Sequence, residues 1–233
     1  MPRPRFTALD PDKRRAILEA AADEFARDGF DGASYNQIIA RAGISKGAMY
    51  YYFDDKADLY LTTVGDVIER MFTAVGGLPD YDDARSFWAA IRDLSGRMIA
   101  FVAEEPRLPG LAKSLLAAGP ALAEALAAYI EQTRAFTAGL IAEGRALGAV
   151  RGDLPAPLLA SLLTGVGEAF DRYLLARWGE LSEAEMAALP DQIVDLYIRL
   201  AAPLDLAVEL TRAQAEPTSE PHAPTQRKKE KKR

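Results

Sequence analysis

Apolar residues recur every three or four positions along most of the chain, and no segment alternates apolar and polar residues as a β-strand does. Gly, Pro and helix-capping residues divide this pattern into separate segments. The predicted helices cover residues 11–28, two short stretches within 34–53, and then 56–75, 84–104, 110–118, 121–147, 157–178 and 182–202, with a last piece reaching Arg212. The pattern therefore predicts an all-α fold.

The segment 34–53, SYNQIIARAGISKGAMYYYF, predicts two short helices joined by a tight turn. Ser34 can cap the first helix, and Gln37 three residues later completes a capping box. Gly43 stands where a helix end favours a left-handed residue, and Ser45 can cap the second helix. This arrangement is a helix-turn-helix, whose second helix normally lies in the major groove of DNA. The sequence therefore predicts DNA binding.

The breaks in the pattern divide the chain into four parts. Residues 1–9 are expected to form a flexible N-terminal arm, and residues 10–55 a three-helix DNA-binding domain that contains the helix-turn-helix. Residues 56–212 are expected to form a helical body, and residues 213–233 a disordered basic tail without an apolar face. The tail either contacts phosphates through its basic end or serves only to keep the chain soluble.

Charge is unevenly distributed along the 233 residues, whose formal net charge is -6. Residues 1–56 carry equal numbers of basic and acidic side chains, whereas residues 57–212 carry 13 basic against 22 acidic ones. The acidic body should be repelled by DNA, which favours docking through the N-terminal part alone.

The residue types present exclude several kinds of chemistry. The chain has no cysteine, and its one histidine, His222, lies in the tail, so we expect no metal site and no cofactor. Paired carboxylates remain, at Asp82–Asp83 and Glu104–Glu105, and leave a helical carboxylate enzyme as an alternative.

No apolar run reaches the ~20 residues of a membrane span. The first residues also lack the apolar middle of a secretory signal, so we expect a cytoplasmic protein that binds no membrane.

The layout of residues 11–60 resembles the N-terminal domain of TetR-type transcriptional regulators. The resemblance rests on FARDGF at the end of the first helix, on ARAGISKGAMYYYF, and on DDKADLY. It implies a two-fold homodimer that binds a near-palindromic double-stranded DNA operator. It also implies that residues 56–212 are a regulatory domain, which binds a small-molecule effector and dimerises through residues 157–178 and 182–202. Most such proteins are repressors that the effector releases from the operator.

The same resemblance, taken position by position, implies which residues contact DNA. The recognition helix spans Ser45 to Tyr52. Its first turn faces the groove, Tyr50 and Tyr51 can reach phosphates, Lys56 matches a phosphate contact, and Asn36 matches a position that sometimes reaches a base. The implied DNA contacts are Ser34, Tyr35, Asn36, Ser45, Lys46, Gly47, Ala48, Tyr50, Tyr51 and Lys56. Met49 and Phe53 have the spacing of core residues. The position of Tyr52 in the pattern fits a core residue and a surface residue equally.

An effector pocket within the helical body would be lined by aromatic side chains. The expected contacts are Trp88, Phe101, Phe136, Phe170 and Tyr173. An aromatic residue at helical spacing is more often an ordinary core residue, and Trp88 and Tyr173 are favoured as contacts because each carries a polar group. The sequence does not reveal the effector.

Three alternatives to an effector-released repressor remain open. An activator or architectural DNA-binding protein would have the same fold without a small ligand. A carboxylate enzyme would use the acidic pairs, although these stand at predicted helix ends, where acidic residues are common. An interaction module without DNA binding would leave the helix-turn-helix pattern unexplained.

Overall fold

The computed structural model describes residues 4–117 and 127–212, and these residues form helices and connecting loops without a strand. The helices are α1 (Pro4–Thr7), α2 (Pro11–Gly32), α3 (Tyr35–Arg41), α4 (Lys46–Tyr52), α5 (Lys56–Val75), α6 (Ala84–Glu104), α7 (Leu108–Leu116), α8 (Ala127–Ala146), α9 (Ala156–Ala176), α10 (Glu183–Ala201) and α11 (Leu204–Arg212). The predicted all-α class is confirmed. The predicted tail, 213–233, and the start of the helix predicted at 121–147 lie outside the described residues.

Local signals set most helix boundaries. The side chains of Asp10, Asp55, Asp83 and Ser182 accept hydrogen bonds from backbone N–H groups in the first turns of α2, α5, α6 and α10. Helix α2 runs four residues beyond the predicted end because Gly29, with φ of 70°, kinks the chain without ending the helix. Pro190 is accommodated within α10.

Two apolar cores organise the molecule. The N-terminal core is formed by α1 to α5 together with Leu111 of α7, and the second core by α6 and α8 to α11 with the loop at Ala149 and Val150. Helices α5 and α7 therefore bury residues in the same core as the helix-turn-helix. Residues on both sides of the domain boundary that we expected at residue 55 therefore pack into one core.

Helix α7 lies very close to α2. A Cβ atom added at Gly110 would stand 2.3 Å from the carbonyl oxygen of Ala26, so only glycine fits there without a shift of backbone. Arg107 also donates from Nε to Oδ1 of Asp23 at 2.5 Å. The body thus contacts the first long helix of the N-terminal core directly.

The N-terminal segment differs from the expected flexible arm. Residues 4–7 form one helical turn that buries Phe6, only 2% exposed, against Phe53, with the ring centroids 4.6 Å apart. The prediction of a free arm was wrong for these residues, because Phe6 supplies an apolar anchor. Residues 1–3, including Arg3, lie outside the described part.

Candidate DNA-binding surface

Helices α3 and α4 are held in place by their caps and by the turn between them. The Ser34 hydroxyl accepts a hydrogen bond from Gln37 N at 3.3 Å, and the Ser45 hydroxyl accepts one from Ala48 N at 3.1 Å. Between them Gly43 has φ of 65°, a left-handed conformation that glycine adopts without strain. The two-helix geometry expected from the sequence is therefore present.

One half of the predicted capping box is wrong. The Ser34 backbone N–H donates to Oε1 of Glu24 at 3.2 Å instead of to the side chain of Gln37. Glu24 lies in α2 and is fully buried. A sequence pattern shows only local partners, so it favoured Gln37 over a carboxylate ten residues away.

Helix α4 has one buried side and one exposed side. Met49 and Phe53 are completely buried in the N-terminal core, as their spacing predicted. Tyr52 is half-buried and packs against the same core, with its ring 6.1 Å from that of Phe6. The core therefore fixes which face of α4 is presented outward.

The outward face carries most of the predicted contact residues. Ser45, Lys46 and Gly47 are exposed, and Ala48 is partly exposed. Tyr50 and Tyr51 are 46% and 48% exposed, high values for aromatic side chains. The surface combines a cation, a stretch without bulky side chains and two hydroxyls, a composition that suits a polyanion.

Gly47 occupies a helical position that the fold itself leaves unexplained. Among the described residues, the one atom within 4 Å of a Cβ added at Gly47 would be Ser45 Oγ, at 3.9 Å. Glycine inside a helix costs about 1 kcal/mol relative to alanine. Packing among the described residues therefore does not require glycine here, and the backbone of α4 is left open on this side.

Tyr35 and Asn36 begin α3 beside this face. The Tyr35 ring lies 5.5 Å from that of Tyr50, and its hydroxyl is buried with no hydrogen-bond partner in the described residues. Burial, and then the neighbouring Tyr50, Asp55 and Asp58, raise the pKa of Tyr35 to about 12. The hydroxyl therefore stays protonated and able to donate. Asn36 is exposed.

Lys56 has partners within the protein. Its Nζ donates to the carbonyl oxygens of Asp31 and Ala33, both at 3.2 Å, and lies 4.9 Å from the ring centroid of Phe30. An ammonium group carries three donors, so a phosphate contact would share this lysine with the α2–α3 connection. The family resemblance implied a phosphate contact for Lys56 but gave no indication of this bracing role.

Arg5 is a surface residue that the list of implied DNA contacts omitted. Its guanidinium carbon lies 4.4 Å from the ring centroid of Tyr51, a cation–π distance. Because Phe6 anchors α1, Arg5 is held beside the exposed face of α4 and adds a second cation to it. The sequence alone did not place Arg5 beside α4, because that position depends on the packing of α1 against the N-terminal core.

The surface just described has counterparts in known proteins. Residues 17–75 match the family described as bacterial regulatory proteins, tetR family. The N-terminal part of the chain, residues 17–75, therefore carries a TetR-family domain.

Curated TetR-family relatives include RutR of Escherichia coli K12, an HTH-type transcriptional regulator that is 29% identical over 138 residues, 57% of this chain and 64% of RutR. AcnR of Corynebacterium glutamicum, an HTH-type transcriptional repressor, is 32% identical over 87 residues, 34% of this chain and 46% of AcnR. The chain thus matches about 64% of the length of RutR.

Solved structures share the TetR-family architecture over longer stretches. A TetR family transcriptional regulator from Chloroflexus aurantiacus is 28% identical, with a TM-score of 0.64 over 87% of this chain and 99% of that chain. FadR of Bacillus subtilis, solved in complex with stearoyl-CoA, is 18% identical, with a TM-score of 0.66 over 79% of this chain and 97% of that one. The likeness to FadR shows the fold alone.

The five residues expected to line an effector pocket differ in burial and in hydrogen bonding. Trp88 is buried in the second core, where its Nε1 donates to the Ala149 carbonyl at 3.0 Å, and Phe170 packs against the same core. Phe101 is partly exposed. Phe136 and Tyr173 are half-exposed, and the Tyr173 hydroxyl accepts a hydrogen bond from Arg177 at 2.8 Å.

Of these five residues, only Trp88 lines the groove between α6, α10 and α11, whose volume is about 520 Å³. Arg92 closes one side of the groove through ion pairs with Asp191 and Asp195 at 2.6 and 2.8 Å. The other four expected contacts do not line this groove, so the structure does not gather the predicted set there. Aromatic spacing alone did not separate core residues from ligand contacts.

The acidic pairs that suggested an enzyme have structural roles in the TetR-family fold. Asp83 caps α6 by accepting from Ser86 N at 2.7 Å, and this hydrogen bond lowers the pKa of Asp83 below its usual value. Glu105 follows α6 and forms an ion pair with Arg70 at 2.7 Å. Within residues 4–117 and 127–212, no group of three or more His, Cys, Asp or Glu side chains is arranged to hold a metal ion.

The described helices include none that is long and apolar enough to span a membrane.

Proposed function

We propose that the protein binds operator DNA through the exposed face of α4 and represses transcription until a small-molecule effector releases it. The observation that carries this proposal is the capped α3–turn–α4 unit, whose inner side is buried and whose outer side presents Lys46, Gly47, Tyr50 and Tyr51. The match of residues 17–75 to the TetR family supports a regulatory role, and the relative AcnR is named a repressor.

The proposed contacts divide into base contacts and phosphate contacts. Lys46 can donate to guanine O6 or N7, and the methyl group of Ala48 can meet a thymine methyl. Tyr50 and Tyr51 can donate to phosphate oxygens through their exposed hydroxyls, and Tyr35 stands at the N-terminus of α3, where backbone N–H groups favour a phosphate. The remaining proposed contacts are Ser34, Asn36, Ser45, Gly47 and Lys56, to which the structure adds Arg5.

A second copy of the chain is the proposed partner of the outer faces of α9 and α10. Leu158, Leu162 and Tyr173 of α9 and Leu196 of α10 are 40% to 51% exposed. Apolar exposure of this extent on neighbouring helices favours an interface. A two-fold dimer would read a near-palindromic operator whose half-sites lie about one helical turn, ~34 Å, or a multiple of it apart.

The proposed effector site lies in the body formed by residues 56–212, and the proposed DNA-binding domain is residues 10–55. Trp88, Phe101, Phe136, Phe170 and Tyr173 are kept as candidate effector contacts. The neighbour FadR holds stearoyl-CoA, but it shares only the fold with this chain, so the effector class has to come from a screen. Action on DNA would place the protein in the cytoplasm.

The experiment that tests this proposal is selection of bound fragments from random and genomic DNA by the purified full-length protein. We expect a near-palindrome to be recovered, with affinity that falls steeply between two salt concentrations. An effector screen would then use that operator as the probe. Binding that is weak and blind to sequence would contradict the proposal, and a specific operator without any effector response would favour the activator or architectural alternative.

A further inference from the structure

Glu24 is a fully buried carboxylate beside the N-terminal core. It lies in α2 and has 0% exposure, and Ala22 and Phe25, two positions before it and one position after it, belong to the apolar core. Burying an ionised carboxylate costs several kcal/mol unless hydrogen bonds and opposite charges compensate. An apolar residue would fill this position without that cost, so the carboxylate requires an explanation beyond packing.

The partners of Glu24 lie at the two ends of α3. Its Oε1 accepts from the backbone N–H of Ser34, which precedes α3, at 3.2 Å. Its Oε2 lies 3.8 Å from Nη1 of Arg41, the last residue of α3. The same Oε2 accepts from Nη2 of Arg27 in α2 at 2.6 Å, so the carboxylate is itself held in place.

Both ends of a short helix are thus tied to one buried group. Helix α3 has seven residues, and helices of this length are unstable unless tertiary contacts hold them. Because α4 follows α3 after the short turn at Gly43, a change in the orientation of α3 is passed to α4. The carboxylate therefore controls the angle at which the exposed face of α4 is presented.

We propose that Glu24 is a positioning residue for sequence reading, which sets the orientation of α3 and α4 by holding both ends of α3. This inference rests on the proposed DNA-binding function. Glu24 has no exposed surface and does not touch DNA. Its loss should impair contacts that depend on angle, namely those to base edges, more than contacts to phosphates, which tolerate small rotations.

A purely structural role makes a different prediction. If Glu24 served stability alone, a variant that remained folded would bind operator and unrelated DNA as the wild type does. The deciding quantity is therefore the ratio of operator affinity to affinity for scrambled DNA of the same length and composition, measured below the unfolding temperature of every variant.

The variants are Glu24→Leu and Glu24→Gln, with Asp28→Asn as the matched control. Leucine preserves much of the volume and removes both ties. The glutamine amide has one acceptor oxygen, so it can serve Ser34 N or the arginines but not both. Asp28 also accepts hydrogen bonds from Arg27, but it is exposed and, among the described residues, makes no hydrogen bond or ion pair with α3. The control therefore tests the loss of a carboxylate beside Arg27 alone.

We expect Glu24→Leu to lower the ratio of operator to scrambled-DNA affinity about tenfold, the size of one lost base contact. Glu24→Gln should lower the ratio less, and Asp28→Asn should leave it unchanged. The dependence of affinity on salt should be the same in all four proteins, because the phosphate contacts remain. Hydrogen exchange at the Ser34 amide should accelerate in Glu24→Leu and not in Asp28→Asn.

An unchanged ratio in a folded Glu24→Leu protein would overturn the inference. If Glu24→Leu does not fold, Glu24→Gln decides, and an unchanged ratio there has the same meaning. Failure of both variants to fold would assign Glu24 to stability and also overturn the positioning role. Failure of the wild-type protein to select any DNA sequence would instead contradict the proposed function itself.

Discussion

The side-chain oxygen of Ser114 lies 2.9 Å from the backbone nitrogen of Phe30 and accepts its hydrogen bond, joining α7 to the end of α2 across 84 positions of the chain. Ser114 is buried and also accepts a hydrogen bond from the hydroxyl of Tyr60 in α5 at 3.1 Å. One hydroxyl thus links three helices at the contact between the helical body and the N-terminal core.

Replacing Ser114 with alanine should therefore destabilise the protein. The Phe30 N–H and the Tyr60 hydroxyl would lose a buried partner, at an expected cost of about 1–3 kcal/mol in the free energy of unfolding. Urea unfolding followed by circular dichroism measures this loss. Ser161→Ala is the control, because Ser161 is exposed on α9 and should change the free energy of unfolding by less than about 0.5 kcal/mol. Equal effects of the two substitutions would contradict the linking role of Ser114.

The helix-turn-helix was predictable because its signals are local. Ser34 and Ser45 accept the backbone hydrogen bonds that their sequence positions indicated, and Gly43 adopts the left-handed turn. Met49 and Phe53 are buried as their spacing required. Capping and helical periodicity involve residues within four positions of one another, so a single sequence contains the information.

What the sequence did not predict depends on contacts between distant residues. Phe6 looked like part of a free arm until its packing against Phe53 was known. Nothing in the sequence pattern distinguished Glu24 from the other charged residues of α2, although it is buried and contacts both ends of α3. Trp88 lines a groove, but the pairing of its N–H with the Ala149 carbonyl, 61 positions along the chain, was not visible in the sequence. Periodicity shows that a residue faces inward but does not show what lies opposite it.

Lys46 and Lys56 should differ in their effects on DNA binding. Lys46→Ala should weaken binding to the operator more than binding to random DNA if the ammonium group reads a base. Lys56→Ala should weaken binding to both DNAs about equally and flatten the salt dependence by about one phosphate. Affinities for the two DNAs at several salt concentrations measure both effects, and equal losses in Lys46→Ala would remove its base-reading role.

The same two substitutions should differ in their effects on folding. Lys56 donates to the carbonyl oxygens of Asp31 and Ala33, and its loss should cost about 0.5–1.5 kcal/mol for each net hydrogen bond. Lys46 is exposed, so Lys46→Ala should leave the free energy of unfolding nearly unchanged. Equal stability of the two variants would show that the bracing contacts of Lys56 contribute nothing in solution.

Tyr35→Phe should make the stability less sensitive to high pH. The pKa of Tyr35 is raised to about 12, mainly by burial, whereas an unfolded tyrosine has a pKa near 10. The folded state therefore holds the phenolic proton more tightly, and stability that is fully present below pH 10 is lost as pH rises towards 12. Unfolding in urea between pH 9 and about 11.5 should show a shallower decline in Tyr35→Phe.

At neutral pH the same substitution should impair neither folding nor DNA binding. The buried hydroxyl of Tyr35 has no hydrogen-bond partner in the described residues, so removing it should leave the protein equally or more stable. Because that hydroxyl has no accessible surface, it does not reach a phosphate, and the affinity for DNA should stay unchanged. Tyr51→Phe, in which the ring is 48% exposed, is the control for the loss of an unburied hydroxyl from the same face. A marked loss of stability in Tyr35→Phe at pH 7 would mean that the hydroxyl has a partner after all.

Gly47→Ala should stabilise the folded protein and weaken its binding to DNA. Alanine is favoured over glycine inside a helix by about 1 kcal/mol. Among the described residues, a Cβ atom at this position would meet only Ser45 Oγ, at 3.9 Å. If the backbone of α4 approaches the base edges as closely as proposed, the added methyl group would collide with DNA. The affinity for the operator should then fall while the unfolding temperature rises.

Gly96→Ala supplies the matched control for this last prediction. Gly96 also lies inside a helix, α6, with no described atom within 4 Å of an added Cβ. It should therefore gain similar stability without any change in DNA affinity. Operator affinity and unfolding temperature would be measured for both variants. If Gly47→Ala bound the operator as tightly as Gly96→Ala does, close approach would be excluded, and another reason for glycine on the exposed face of α4 would have to be found.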